Sequence, residues 1–80
     1  MTIQEKAIKL VLAERARQDA KWGEQNHEPI RWCCILSEEI GEWCRHVLEN
    51  NDILASSELV QVAATALTAL ESCLRSDGTT

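Results

Sequence analysis

The sequence has no Phe, no Tyr and only one Pro among its 80 residues. It also lacks an unbroken apolar run of the ~20 residues that a membrane-spanning helix requires, and its first residues lack the apolar core of a signal peptide. With 8 basic against 13 acidic residues the formal net charge is -5, whereas nucleic-acid binding requires a basic surface that neutralises phosphates. These absences predict a cytoplasmic protein that binds neither nucleic acid nor membrane.

Four Cys residues are present, but they form no C-x-x-C pair, and no His lies at zinc-finger spacing from them. All of them lie within apolar stretches: Cys33, Cys34, Cys44 and Cys73. Free Cys is among the most buried residue types and behaves as a small hydrophobic side chain. In a cytoplasmic chain we therefore expect four buried, reduced thiols with a packing role.

Apolar residues recur at helical spacing in three segments, which predicts an all-α, three-helix chain. The helices are expected over residues 2 to about 20, residues 30 to about 50 and residues 53 to about 75. Residues 1–76 would form a single helical domain, and residues 77–80 a frayed tail. Local signals mark the helix ends: Thr2 with Glu5 as a capping box, Gly23 as a stop, Pro29 as a first helical residue, and Asn51 or Asp52 as a cap.

The third helix is apolar nearly all round, which is typical of a helix buried on most sides. One polar line crosses it at spacings of three and four: Glu58, Gln61, Thr65, Thr68 and Ser72. Apolar stripes on the other two helices are expected to face the core: Ile3, Ala7, Leu10 and Val11 on the first, and Leu36, Ile40, Trp43 and Val47 on the second. A chain this short is poor in core by itself. We therefore expect a homodimer, or a homotetramer, in which further chains complete a helical bundle.

Two polar pairs lie among these apolar residues. Glu39 and Glu42 are three positions apart and share a face of the second helix, as Glu58 and Gln61 do on the third. Carboxylates that converge in a half-buried site repel one another unless a cation neutralises them. Mg²⁺ prefers oxygen ligands, so the pattern favours a Mg²⁺ site, with Mn²⁺ as an alternative ion and Glu38 beside it. A solvated acidic face is the other interpretation.

The order of these residues resembles a known family. Residues 38–42 (EEIGE), followed by residues 58–61 (ELVQ), are similar to the E-E-x-x-E … E-x-x-D pattern of the all-α nucleoside triphosphate pyrophosphohydrolases, which include the MazG-like proteins and the dimeric dUTPases. Upstream, residues 14–27 (ERARQDAKWGEQNH) look like the small MazG-like proteins of phages and mobile elements. The resemblance covers roughly residues 8–74, most of the chain.

This resemblance implies a Mg²⁺-dependent hydrolase that cleaves a nucleoside triphosphate, in particular a deoxynucleotide, to the monophosphate and pyrophosphate. By motif position, Glu39, Glu42 and Glu58 would be metal ligands. Glu38 would be the catalytic residue that orients the attacking water or holds a further ion. Gln61 stands where the family has Asp, and its neutral carbonyl can ligate a metal without adding charge.

Four residues upstream of the acids are candidates for substrate contact. Trp22 could stack on a base, or pack against the second helix. Lys21 and Arg17 could meet phosphates, or remain solvated at the end of the first helix. His27 could contact a sugar or a base, or cap a loop.

Two other functions are compatible with the sequence. The neutral Gln61 and the short chain also fit a module that binds a nucleotide or a metal without turnover. A purely structural helical dimer, for example an accessory protein of a mobile element, is the third alternative. A panel of deoxynucleotides with Mg²⁺ separates the first function from the other two.

Overall fold

The computed structural model of the chain describes residues 1–77, and it confirms an all-α, three-helix fold. Helix α1 spans Ile3–Trp22, α2 spans Pro29–Leu48 and α3 spans Asp52–Ser76. The ends differ from the sequence-based ones by at most two residues, and Trp22 closes α1 rather than opening the following loop. Of the expected tail, Asp77 is the C-cap of α3, and residues 78–80 lie outside the described part.

The helix ends form where the local sequence signals predicted them. The Thr2 hydroxyl accepts a hydrogen bond of 3.0 Å from the Glu5 backbone N–H, and the Glu5 carboxylate accepts one of 3.0 Å from the Thr2 N–H. Gly23 ends α1 at a φ of 72°, in the left-handed region that favours glycine. Pro29 begins α2, and the Asn51 side chain caps α3 by accepting from the Leu54 N–H at 3.2 Å.

The third helix is the centre of the fold. It packs against both α1 and α2, whereas α1 and α2 make no helix–helix contact with each other. The two outer helices therefore stand apart on one side of α3. Since the 23–28 loop joins them at one end, they enclose an open cleft whose floor is α3.

In the single chain the polar line of α3 is buried or half-buried and the apolar residues on its opposite side are exposed, which is the reverse of the expected arrangement. Its polar line faces inward, with Thr65, Thr68 and Ser72 only 6%, 6% and 3% exposed. The apolar residues on the opposite side face outward, and Leu59 and Leu70 are 47% and 55% exposed. The prediction that α3 is buried on most sides is therefore wrong for one chain, because only one side of it meets α1 and α2.

The predicted apolar stripes and buried thiols also need correction. The stripe on α1 is exposed apart from Val11, which is half-buried, and on α2 both Ile40 and Val47 are exposed. Three Cys residues are exposed and the fourth is half-buried: Cys33, Cys34, Cys44 and Cys73. The reason is the same in each case, since a helix that meets one neighbour buries one narrow face and leaves its other apolar side chains uncovered.

The chain has more surface and a larger radius than a compact monomer of its size. It exposes 5845 Å², whereas a folded monomer of 9.0 kDa is expected to expose about 4,900 Å². Its radius of gyration is 13.6 Å, against about 12 Å for a compact domain of 80 residues. Among the described residues only Trp32 is a large apolar side chain with less than a tenth of its surface exposed. One chain thus lacks a full hydrophobic core.

By length and composition alone, α3 is also apolar enough to cross a membrane. The core helices of soluble proteins pass the same test, but usually because they are mostly buried, and 28% of the most apolar part of α3 is buried here. The polar line from Glu58 to Ser72 runs through the same helix, and ionisable residues are costly in hydrocarbon unless they face a protein interior. We therefore expect another molecule to bind the exposed apolar surface of α3. That molecule has to leave the polar line of α3 in contact with α1 and α2.

Candidate functional site

Glu39, which lines the cleft, is influenced by the charges of carboxylates on all three helices. The pKa of Glu39 on α2 is raised above its ordinary value, first by burial and then by the charges of Glu58, Glu42 and Glu14. A hydrogen bond of 3.2 Å from the Thr65 hydroxyl to Glu39 Oε2 offsets part of this shift. The charges of Glu58 and Glu42, two other predicted ligands, therefore contribute to the raised pKa of Glu39, with burial as the larger cause.

The same acids do not form a finished metal site. Across residues 1–77 no group of three or more acidic, His or Cys side chains is arranged to hold a metal ion. Glu58 and Gln61 are half-buried on α3, whereas Glu42 and Glu38 are exposed on α2. One atom stands out, because Glu58 Oε2 is buried without a hydrogen-bond partner in the described part of the chain. A buried carboxylate oxygen is normally bonded, so this atom indicates a missing partner.

Glu14 on α1 is a fourth acid of this cluster, and the sequence analysis did not place it there. Its side chain is 13% exposed and accepts hydrogen bonds from Arg17 Nη2 at 2.7 Å, Arg17 Nε at 2.9 Å and Gln18 Nε2 at 3.2 Å. The bond from Arg17 is the main reason that the pKa of Glu14 is lowered. Arg17, predicted to meet a phosphate, is therefore paired with Glu14 in the structure.

The cleft itself has a volume of about 670 Å³ and is lined by residues of all three helices and the 23–28 loop. Volumes of this order are typical of small-molecule sites. Aromatic rings and amides lie towards the loop, and Glu39 with Thr65 lies on the α2 and α3 side. The residues that contribute are Gln18, Trp22, Gln25, Asn26, His27, Trp32, Ile35, Glu39, Thr65 and Thr68, together with Glu24.

The 23–28 loop is held in place by the C-terminal half of α3. The Ser72 hydroxyl accepts a hydrogen bond from the His27 N–H at 3.1 Å and lies 3.3 Å from the His27 carbonyl. Arg75 Nε donates to Asn26 Oδ1 at 2.8 Å, and Arg75 Nη2 donates to the Gln25 carbonyl at 3.2 Å. Because both ends of this loop are also helix termini, these bonds make it a fixed wall of the cleft.

Two aromatic residues of the cleft differ sharply in exposure. Trp22 is 54% exposed at the rim, and the Lys21 ammonium lies 4.7 Å from the centroid of its ring. Trp32 is 4% exposed, and its ring centroid is 4.9 Å from that of His27. The indole Nε1 of Trp32 is buried with no hydrogen-bond partner among the described residues. The predicted contact residues Trp22 and His27 therefore line the cleft, and Lys21 lies against its rim.

The sequence analysis missed several cleft residues, and for two of them a signal was present. Gln18 follows Glu14 by four positions, which places both on one face of α1. Thr65 belongs to the polar line of α3, which was identified but not connected to the acids. Trp32 gave no such signal, because a Trp in an apolar stretch is most often a core residue.

Comparisons with known proteins do not assign a function to the cleft or to the acidic residues beside it. No protein-family model matches the chain, and the searches of curated proteins and of solved structures found no match to it either. The resemblance to the pyrophosphohydrolases consequently stays a prediction from the motifs. The function has to be argued from the acidic cluster and the cleft beside it.

Proposed function

We propose that the chain is a Mg²⁺-dependent nucleoside triphosphate pyrophosphohydrolase, which releases pyrophosphate and leaves the monophosphate. The observation that carries this proposal is the position of Glu39. It lies on the wall of a cleft lined by aromatic rings and amides, and its pKa is raised first by burial and then by the charges of acids on all three helices. A nucleotide has the same two-part chemistry, with an aromatic base at one end and phosphates that require a cation at the other.

The donor set fits a divalent cation in two respects. Glu58 Oε2 is buried without a hydrogen-bond partner among residues 1–77, and burial together with the neighbouring acids disfavours the ionised form of Glu39 and raises its pKa. A bound cation would relieve both, and Glu39, Glu42, Glu58 and Gln61 would hold it through oxygen atoms. No three carboxylates in residues 1–77 are arranged to hold a metal ion, so the substrate phosphates would have to supply further ligands. When bound, Mg²⁺ would neutralise phosphate charge and favour attack at phosphorus.

The chain's own residues would bind and orient the substrate. Trp22 at the rim would stack on the base, with His27 contacting the base or sugar from the loop. Lys21, whose ammonium lies over Trp22, is close enough to the rim to reach a phosphate. Glu38 would orient the attacking water from the exposed side of α2. Arg17 would contact phosphates only after leaving Glu14.

The test is hydrolysis of a panel of deoxynucleoside triphosphates with Mg²⁺ or Mn²⁺, followed by pyrophosphate release. We expect release that EDTA abolishes and that Glu42→Gln lowers at least ~100-fold, in the range by which loss of an electrostatic contact slows catalysis. Glu49→Gln, seven residues further along the chain at the C-cap of α2 and outside the cleft, is the matched control and should keep full activity. Absence of release with every nucleotide, or equal rates in Glu42→Gln and the parent chain, would overturn the proposal.

In residues 1–77 no three acidic, His or Cys side chains are arranged to hold a metal ion. This observation favours one alternative, a module that binds a nucleotide or metal without turnover. Calorimetry with Mg²⁺ and nucleotide would then show binding while pyrophosphate release stays absent. A purely structural helical dimer would show neither, and its melting temperature would not respond to Mg²⁺ or EDTA. A ligand that binds only the native state must raise its stability, so these three outcomes are distinct.

We also propose that a second copy of the chain covers the outward face of α3, giving a cytoplasmic homodimer, or a homotetramer by further association. Leu59, Ala63, Ala66 and Leu70 recur along that face at helical spacing. The chain exposes roughly 1,000 Å² more than a compact monomer, and about 800 Å² per partner is sufficient for a standard protein interface. A second α3 would cover apolar surface and leave the polar line on α1 and α2.

A further inference from the structure

One amide in the cleft is buried and held in a single orientation. Gln18 is the only buried residue of α1 and is 8% exposed. It lines the cleft together with Trp32, Glu39 and Thr65. A long polar side chain is seldom buried to this degree without a specific partner. Its surroundings therefore decide what the end of this side chain can do.

Glu14 determines which way the Gln18 amide points. Gln18 Nε2 donates to Glu14 Oε2 at 3.2 Å, and Glu14 is held in turn by two hydrogen bonds from Arg17. An ionised carboxylate only accepts hydrogen bonds, so the amide nitrogen and not the amide oxygen must face it. Gln18 Oε1 is consequently an acceptor with no protein donor among residues 1–77.

A second unpartnered group lies on the same cleft. Trp32 is 4% exposed, and its indole N–H is buried and makes no hydrogen bond in the part of the chain that is described. Buried donors and acceptors are almost always paired, and each exception calls for a missing partner. Two residues that line the cleft thus carry groups without a hydrogen bond in residues 1–77, the Gln18 side-chain carbonyl on α1 and the buried Trp32 indole N–H on α2. Both positions are set by the packing of buried side chains.

We infer that Gln18 is the specificity-determining residue of the cleft, where its side-chain carbonyl accepts a hydrogen bond from an N–H group on the edge of a nucleobase. Nucleobases carry N–H donors beside carbonyl or ring-nitrogen acceptors on one edge. The Trp32 indole N–H would donate to such an acceptor. This inference rests on the proposed function, because it names the part of the nucleotide that this end of the cleft holds.

Glu14 and Arg17 are positioning residues in this arrangement. Neither is required to touch the base, since they act by fixing the Gln18 amide. If Glu14 became Gln, its neutral amide could accept from or donate to Gln18, and the Gln18 amide could turn either way. Base discrimination would then weaken although the cleft keeps its shape. A merely structural role for Glu14 would alter stability and leave the relative affinities of the four bases unchanged.

The experiment is an NMR titration of the full chain with the four deoxynucleosides, without divalent ions. The indole N–H signal of Trp32 reports binding, and that of Trp43, which does not line the cleft, is an internal reference. We expect the dissociation constants of the strongest and weakest base to differ by about tenfold, the effect of one or two hydrogen bonds. In Gln18→Met, which preserves side-chain length, the difference should fall to about threefold or less.

Two further variants complete the test. Glu14→Gln should narrow the difference between bases without abolishing binding, and Gln4→Met, an exposed glutamine in the first turn of α1, should leave it unchanged. The inference is overturned if Gln18→Met keeps the parental order and spread of affinities. It is also overturned if no deoxynucleoside moves the Trp32 signal up to its solubility limit.

The titration separates this inference from the proposed hydrolysis, because it requires neither Mg²⁺ nor turnover. Base discrimination that depends on Gln18, in a chain that hydrolyses no triphosphate, supports the inference and overturns the hydrolase. Hydrolysis whose base preference is the same in Gln18→Met and the parent chain supports the hydrolase and overturns the inference.

Discussion

The attachment of α1 to the rest of the fold depends on Arg15, and this dependence can be measured. The apolar residues in the first half of α1 are exposed apart from the half-buried Val11, so they contribute little packing against α3 in the single chain. Arg15 instead reaches across to α3, where it donates to the Thr68 hydroxyl and to Glu71 Oε1 at 2.7 Å. Its side chain is 14% exposed, and Gln18 of the cleft lies on the same helix.

The expected size of the effect follows from these contacts. A hydrogen bond to a charged group contributes about 1.5–3 kcal/mol when well buried. Glu71 is 37% exposed, so its pairing with Arg15 is screened by water and contributes nearer ~1 kcal/mol. Arg15→Met keeps the apolar stem and removes both bonds, and we expect it to lower the free energy of unfolding by about 2 kcal/mol. In a chain of this length that corresponds to a fall of roughly 8–16 °C in melting temperature.

Thermal and urea unfolding followed by circular dichroism at one fixed protein concentration is the assay, because self-association makes stability depend on concentration. A double-mutant cycle with Glu71→Gln isolates the ion pair and should give a coupling of about 1 kcal/mol. Arg31→Met, an exposed arginine on α2, is the matched control and should change stability by less than ~0.5 kcal/mol. A loss in Arg15→Met no larger than in this control, or a coupling of zero, would refute the reasoning.

Two further predictions concern charge and self-association. Glu39→Gln should raise the melting temperature of the metal-free chain at pH 7. Because the folded-state pKa of Glu39 lies above its ordinary value of 4.5, its stabilising effect is full below that value and is lost as pH rises through the folded pKa. The gain in Glu39→Gln should therefore vanish near pH 4, and a gain independent of pH contradicts this cause. Leu70→Glu places a charge on the outward face of α3 and should shift sedimentation towards the monomer, whereas an unchanged sedimentation coefficient rules that face out as the interface.

Much of the fold could be predicted from short-range patterns. The capping box at Thr2, the stop at Gly23, the start at Pro29 and the cap at Asn51 all act within one helical turn, so they depend on neighbouring residues alone. The all-α class follows from them and from the helical spacing of the apolar residues. Which side of α3 is buried could not be predicted, because it depends on how many helices surround it.

The candidate site was predictable only in part. The spacing of the acids predicted that Glu39, Glu42 and Glu58 lie close together, and the charges of Glu58 and Glu42 do contribute to the raised pKa of Glu39, although burial is its larger cause. The contribution of Glu14 depends on the placement of α1 against α3, which no i, i+3 pattern on α2 or α3 encodes. The same is true of Trp32, whose unpartnered N–H is visible only when its neighbours in space are known.

The amino-acid sequence by itself determined three helices, their ends and the acidic pairs, since hydrogen bonds and side-chain spacing within a helix involve residues at most a few positions apart. The tertiary structure alone decided that the polar line of α3 faces inward, that the charge of Glu14 on α1 acts on Glu39 of α2, and that the apolar side of α3 is left open. These features require contacts between α3 and the two outer helices, and local periodicity carries no information about which face a neighbouring helix will cover.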